Sequence, residues 1–412
     1  MVYSQFRKTV LENDLTVITE HIPSVRSVSI GVWIKTGTRF ENKRNNGAAH
    51  FLEHMMFKGT KKRTPKQIAR SLESVGGHLN AFTSKEYTCY YAEVLDEHLK
   101  KSVNLFSDML CNSTLPVKEL EKERSVILDE IQSLEDTPDD LIQDIFVEKL
   151  FKNHPLGFSI LGTENSLLKI SRDSLIDFYE GNYLSRRIII AAAGNVDHDK
   201  LVAMCTRSFH FLNGNHNGHV QPPKQMGAGD YREKKAVSQV HICMGIPSFP
   251  YRHPDRYAML VLNTLMGGGM SSRLFQNIRE KYGVAYSIYS FLDFYFDSGV
   301  FGVYLGTDKK NLKKALRLLE GEFERIRKKP IPTREFNEAK AQLKGNLMLS
   351  MESTANRMAR LAKMEIYNGS FQEIDEIVEQ INRVDRERMW EISQEIFRKE
   401  KFLRVIFEPE KN

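Results

Sequence analysis

The chain has 412 residues, 41% of them hydrophobic and 27% charged, the balance of a globular protein long enough for more than one domain. Its 59 basic and 53 acidic residues leave a net charge of +6, a mild bias at this length that does not argue for nucleic acid as a partner. Four scattered cysteines (Cys89, Cys111, Cys205, Cys243) and no apolar stretch of membrane-spanning length lead us to expect reduced thiols, no membrane partner and a cytoplasmic location.

The first residues, 1–8, contain no apolar run or cleavage site, so no signal peptide is expected. Val28, Ile30, Val32 and Ile34 alternate with period two and predict a strand. A helix is predicted around His50 to Phe57, apolar through Ala48, Ala49, Phe51, Leu52, Met55 and Met56, with Lys58-Gly59-Thr60 as its stop. His50 and His54 are four apart and share one face of it. Two neutral imidazoles so placed can grip one Zn²⁺, and the carboxylate of Glu53 can lie near the same face, ready to take a proton from a water that the metal polarises. The order H-x-x-E-H is the inverzincin pattern, the reverse of H-E-x-x-H, and points to a zinc peptidase. The basic run Lys61-Lys62-Arg63 reads as a solvated loop.

An aromatic-rich strand follows at residues 90–95, then a basic amphipathic helix from Glu97, and Pro116 opens a long helix to about Leu134. On that helix Glu123 and Glu130 are seven apart, two turns, and share a face. A catalytic zinc usually has three protein ligands and an open position. Glu130 can supply the third while Glu123 supports a histidine N–H, or both can be ordinary solvated carboxylates; spacing leaves these even. The acidic stretch 135–140 reads as a solvated loop with a helix cap.

Composition shifts at residues 213–219, NGNHNGH, followed by Pro222, Pro223, Gly227 and Gly229. This marks a linker, and we place domains at 1–212 and 236–412 with the linker at 213–235. His216 and His219 within it read as solvated loop residues. The second half repeats the plan of the first: an alternating strand at 240–246, an apolar helix from Tyr257 to Met266, a strand at 299–305, a basic helix from Asn311 and a long helix opened by Pro332. Aligning the glycines after the two apolar helices sets Met259, Leu262 and Asn263 opposite His50, Glu53 and His54, so the second half keeps the helix and lacks the ligands. The expected fold class is α+β: two homologous domains, each a mostly antiparallel sheet with helices packed on one face.

Several motifs together resemble one family. Residues 47–60 (GAAHFLEHMMFKGT), 76–84 (GGHLNAFTS), 154–157 (HPLG), 160–163 (ILGT), 193–196 (AGNV) and 267–275 (GGGMSSRLF) are similar to the pitrilysin and mitochondrial-processing-peptidase family, over essentially the whole chain. Length and two-half layout resemble its short bacterial members, whose subunits pair to make four domains. The resemblance implies a zinc metalloendopeptidase with one Zn²⁺ per chain held by His50, His54 and Glu130, Glu53 as general base and Glu123 as a supporting acid. It implies that Asn80, Ala81 and Phe82 form the edge strand that pairs with substrate backbone. It assigns Arg279 and Tyr286 to the substrate carbonyl and the tetrahedral oxyanion; unaided, we would read them as a surface salt bridge and a core tyrosine.

The resemblance further implies peptide or unfolded, presequence-like substrates and a homodimer enclosing a chamber, in which Arg279 and Tyr286 act on the partner's zinc. Two other readings stand beside it. An inactive scaffold subunit of the same fold would lose ligand residues, and here all six matched positions are filled. An active subunit that needs a different, glycine-loop partner is weighed against the short Gly267-Gly268-Gly269 run and the presence of both half-sites in one chain.

Overall fold

The computed structural model describes residues 5–214, 220–224 and 226–410; His216 and His219 lie outside the described residues. The chain forms two compact units, one of Met1–Gln132, Phe158–Val220 and Ser350–Phe371, the other of Ser133–Gly157, Gln221–Leu349 and Gln372–Asn412.

In the first unit, β1 (Gln5–Val10), β2 (Thr16–His21), β3 (Ser27–Ile34), β4 (His78–Thr83), β5 (Thr88–Leu95) and β6 (Ile188–Gly194) lie side by side in the order β1-β2-β6-β3-β5-β4. In the second, β7 (Gly229–Lys235), β8 (Val240–Ser248), β9 (Ser287–Phe294), β10 (Gly299–Thr307) and β11 (Leu403–Pro409) take the order β7-β11-β8-β10-β9. Without β1, the two orders correspond strand for strand. Each contains one parallel pair at the corresponding place, β2 with β6 and β7 with β11, and antiparallel pairs elsewhere. These are the two mostly antiparallel sheets of the expected α+β class.

Alternation explains how the first sheet is packed. Val28, Ile30, Val32 and Ile34 of β3 point into the main core, against Phe51, Leu52, Met55, Val103, Phe106 and Leu175 from the helical layer. Trp33, between them, points the other way, into a second cluster with Ile18, Cys89, Ile189 and Ala191. That face is covered by the helix Thr354–Tyr367 through Met358, Leu361 and Ala362. The approach is close: a Cβ on Gly31 would meet Trp33 Nε1 at 2.7 Å and Met358 Sδ at 2.8 Å. The second sheet is covered in the same way by the helix Pro138–Leu150, whose Leu141, Ile142, Phe146 and Leu150 pack with Cys243, Val300, Val405 and Phe407. The main helical layer therefore lies on one face, and one further helix closes the other.

These two covering helices make the units differ from a cut at 213–235. Each comes from the half of the chain whose own sheet it does not cover. Three local expectations also change. Residues 229–235, read as the end of the linker, are β7, a polar and largely exposed strand (GDYREKK) whose pairing with buried β11 leaves no apolar alternation to detect. The acidic stretch is shorter as a loop than expected: Pro138 opens the covering helix, with Asp139 and Asp140 in its first turn at the positive end of the dipole. Arg63 of the basic run is not simply solvated, because it pairs with buried Asp108 at 2.5 Å. The four cysteines are free, and among the described residues no helix is long and apolar enough to cross a membrane.

Candidate metal centre and active site

The site is built on the helix Ala48–Met55. Gly47 starts it at φ +93, where a Cβ would meet the Leu161 carbonyl oxygen at 2.9 Å. Buried Glu41 receives the first helical N–H groups, from Gly47 at 2.9 Å and Ala49 at 2.7 Å, and the Asn46 amide at 2.9 Å. Burial outweighs these bonds and pushes its carboxyl up to about 7. Phe51, Leu52 and Met55 are fully buried and fix the helix in the core, which sets how His50, Glu53 and His54 are presented.

Opposite runs the helix Val117–Glu135, anchored by buried Leu120 and Ile127 and carrying Glu123 and Glu130. One ligand atom from each of His50, His54 and Glu130 lies within 4.8 Å of the other two. His50 Nε2 is 3.7 Å from Glu130 Oε2 and His54 Nε2 is 3.6 Å from Glu130 Oε1. Glu130 Oε2 is buried with no hydrogen-bond partner, a state that a bound cation would relieve. Burial, helped by the neighbouring His54, pushes His50 down to about 3, so its imidazole is neutral and offers a lone pair. Its Nδ1 is also buried without a partner. Two imidazoles and one carboxylate, convergent on one point, suit Zn²⁺.

His54 is held from behind. Its Nδ1 is 3.1 Å from Glu123 Oε2, and the other oxygen of that buried carboxylate pairs with Lys58 Nζ at 2.7 Å. This fixes the ring with Nε2 toward Glu130. Glu53 is 8% exposed and accepts a 2.5 Å hydrogen bond from Thr83 Oγ1. Burial raises its carboxyl pKa, against the lowering effects of the Thr83 bond and of His54. Thr83 ends β4, the edge strand that holds Asn80, Ala81 and Phe82. Asn80 Oδ1 accepts the Ala81 N–H at 2.8 Å, and Phe82 lies edge-on to Trp33 with ring centroids 5.6 Å apart.

Arg279 and Tyr286 belong to the second unit. Arg279 lies over the Phe275 ring, 4.7 Å from its centroid. Tyr286 is exposed and donates its hydroxyl proton to Asp308 Oδ2 at 3.0 Å; that bond and the aspartate charge raise its phenol pKa. Among the described residues Arg279 forms no ion pair, and Tyr286 lies at the surface rather than in the core, so both differ from what the sequence alone suggests.

The chain is similar to known proteins over most of its length. An uncharacterized zinc protease of Bacillus subtilis (strain 168) is 39% identical over 397 residues, covering 96% of each chain. One of Mycobacterium leprae is 38% identical over 401 residues, covering 95% of this chain and 89% of the relative. The model of the insulinase family, peptidase family M16, matches residues 16–164, and that of the peptidase M16 inactive domain matches 169–343.

The chain belongs to peptidase family M16.

As an M16 member it is a zinc protease, its cofactor is Zn²⁺, and the family resemblance read from the motifs holds. The M16 fold recurs in solved structures. A protease from Helicobacter pylori superposes with a TM-score of 0.91 at 22% identity, covering 98% of this chain and 100% of that one. A peptidase M16 inactive domain from Pseudomonas fluorescens superposes at 0.92 and 19% identity, covering 99% and 98%.

Three residues that touch the candidate site have no role assigned from the sequence alone. Lys58 continues the row His50, His54, Lys58 at four-residue steps, a usable signal that its reading as a helix stop obscured. Thr83 lies inside the 76–84 motif, directly after Asn80-Ala81-Phe82, and that place in the motif is its only local signal. Glu41 carries no motif, and only the fold brings it to the helix start.

Proposed function

We propose that this M16 protease is a zinc metalloendopeptidase acting on peptides and unfolded, presequence-like segments, with His50, His54 and Glu130 as the ligands of one Zn²⁺. The convergence of those three residues' ligand atoms within 4.8 Å, with Glu53 on the same helix, carries the reading. Zinc, when bound, makes water acidic enough to lose a proton near pH ~7 and polarises the scissile carbonyl.

The chain's own residues supply the rest. Glu53 takes the proton from the attacking water and returns one to the leaving amine; its buried carboxyl, with pKa raised, suits both steps. Glu123, tied to Lys58, keeps His54 oriented. An extended segment adds to β4 as a further strand along the stretch Asn80-Ala81-Phe82, pairing with the backbone groups that face away from β5, with Asn80 releasing the Ala81 N–H to it. Arg279 and Tyr286 are donors for the substrate carbonyl and the oxyanion. Tyr286 has one proton and gives it to Asp308, so it must turn from Asp308 to serve.

In this reading two copies form a homodimer chamber, and Arg279 and Tyr286 of one serve the zinc of the other. Mixing inactive Glu53→Gln subunits with Tyr286→Phe subunits tests it. Exchange should restore measurable hydrolysis, because some dimers regain one complete site. A mixture no more active than its components would end the trans arrangement.

A further inference from the structure

A general base must present one chosen oxygen to water, yet the side chain of Glu53 has three rotatable bonds. We propose that Thr83 is the positioning residue that fixes this choice, and that it ties the base to the strand on which substrate docks. This rests on the reading of Glu53 as base and β4 as docking strand.

Thr83 Oγ1 has two neighbours, Glu53 Oε2 at 2.5 Å and Thr88 Oγ1 at 3.4 Å. A hydroxyl has one proton to give. Thr88 is fully buried and donates its own to the Thr36 carbonyl at 3.0 Å. Thr83 therefore donates to the carboxylate, the shorter and charge-assisted bond. That bond occupies Oε2. Among the described residues Oε1 accepts no hydrogen bond, so Oε1 is the oxygen that takes the proton from water.

The position of Thr83 in the chain gives the bond its second role. Leu79 and Ala81 pack against the main core beside the His50 helix, and Thr83 continues this row at two-residue steps. The other face carries exposed Phe82. Backbone pairing sets Thr83 opposite Thr88 on β5, which fixes the end of the strand on one side. A substrate paired along the free side of β4 would hold the strand from both sides. It would steady the hydroxyl that holds the base, so docking and orientation of Glu53 are linked through one side chain.

The test compares Thr83→Val, which keeps the β-branched shape and removes the hydroxyl, with Thr83→Ser, which keeps the hydroxyl. The probe is fluorescein-labelled casein, an unfolded protein, with the full zinc-loaded chain. Thr83→Val should lower kcat about 10- to 100-fold with KM within about twofold, and keep its full zinc content. Thr83→Ser should restore kcat to within about threefold of the parent. In a Glu53→Gln background, adding Thr83→Val should leave the residual rate unchanged, since the group it acts through is gone. A Thr83→Val kcat within about twofold of the parent, or a serine variant as impaired as the valine one, would overturn the proposal. Loss of zinc from Thr83→Val would do the same. If the valine variant fails to fold, Thr83→Ala against Thr83→Ser makes the same comparison. Full activity in Glu53→Gln alone would instead sink the base reading beneath it, so the two failures are told apart.

Discussion

The two units solve the same packing problem with the same strand order, and among the described residues only the first brings three metal-ligating side chains together. In the first, the helix Ala48–Met55 presents His50, Glu53 and His54; in the second, the helix Arg256–Gly267 has Met259, Leu262 and Asn263 at the aligned positions, with Met259 and Leu262 fully buried. Counting from Pro116 and Pro332, which open the two long helices, Glu123 and Glu130 correspond to Ala339 and Asn346. The difference is concerted: where both histidines are missing, both carboxylates are missing too. The fold is satisfied by apolar side chains at these places. The first unit bears the desolvation of two imidazoles and three carboxylates, a cost that packing does not require and that metal and substrate can offset.

Transplanting the second unit's residues into the first tests this most severely. The triple variant His50→Met, Glu53→Leu, His54→Asn should fold, bind no zinc by metal analysis, and lose all detectable peptide hydrolysis. An unfolded product would show that the ligands also carry the structure. Glu53→Gln should keep zinc and lower kcat by roughly 10²–10⁴; normal cleavage would remove its role as base. Glu130→Gln should weaken zinc retention in chelator competition by more than Glu123→Gln, for which about 10- to 100-fold is expected because it acts only through His54. Equal losses would mean that the two carboxylates do not differ in kind.

The smallest effect concerns the helix start. The second unit's helix begins at Asp255, a residue paired with Arg388 at 2.7 Å, whereas the first begins over buried Glu41. The folded state raises the Glu41 carboxyl from 4.5 to about 7, so it holds that proton more tightly than the unfolded chain does. The stability Glu41 contributes is fully present below about pH 4.5 and declines as pH rises through about 7, by an amount on the order of 3 kcal/mol. Denaturant melts from pH 4 to pH 8 should show this decline in the parent and a flatter profile in Glu41→Gln. Parallel profiles would mean that the backbone N–H groups, rather than burial, govern the carboxylate.

Much of this contrast was legible in the sequence because it rests on short periods. The i, i+4 spacing of His50 and His54, the period-two run of β3 and the prolines before the long helices each reflect local geometry, and the corresponding elements formed within a few residues of their expected limits. Glu130 was different. Helix spacing made it eligible, and only the family resemblance singled it out, since nothing local tells a ligand from a solvated glutamate. The covering helices were hidden for another reason. Their apolar residues match a face of a sheet far away in sequence, and the sign that such a face needed cover lay in β6, IIIAAAG, buried at every position. β7 was missed because a polar edge strand carries its information in backbone pairing alone.

The exchanged helices have a consequence for how the gene product can be divided. A fragment ending near residue 212 would carry Pro138–Leu150 with no sheet to lay it on, and would leave Trp33, Ile189 and Ala191 open to water. The complementary fragment would have the mirror defect around Val300 and Phe407, with Met358 and Leu361 as its stranded apolar surface. Neither half is a self-sufficient module, although the repeat invites that view. A protease that nicked the connection between them would cut one peptide bond and release nothing, because each piece holds part of the other's core.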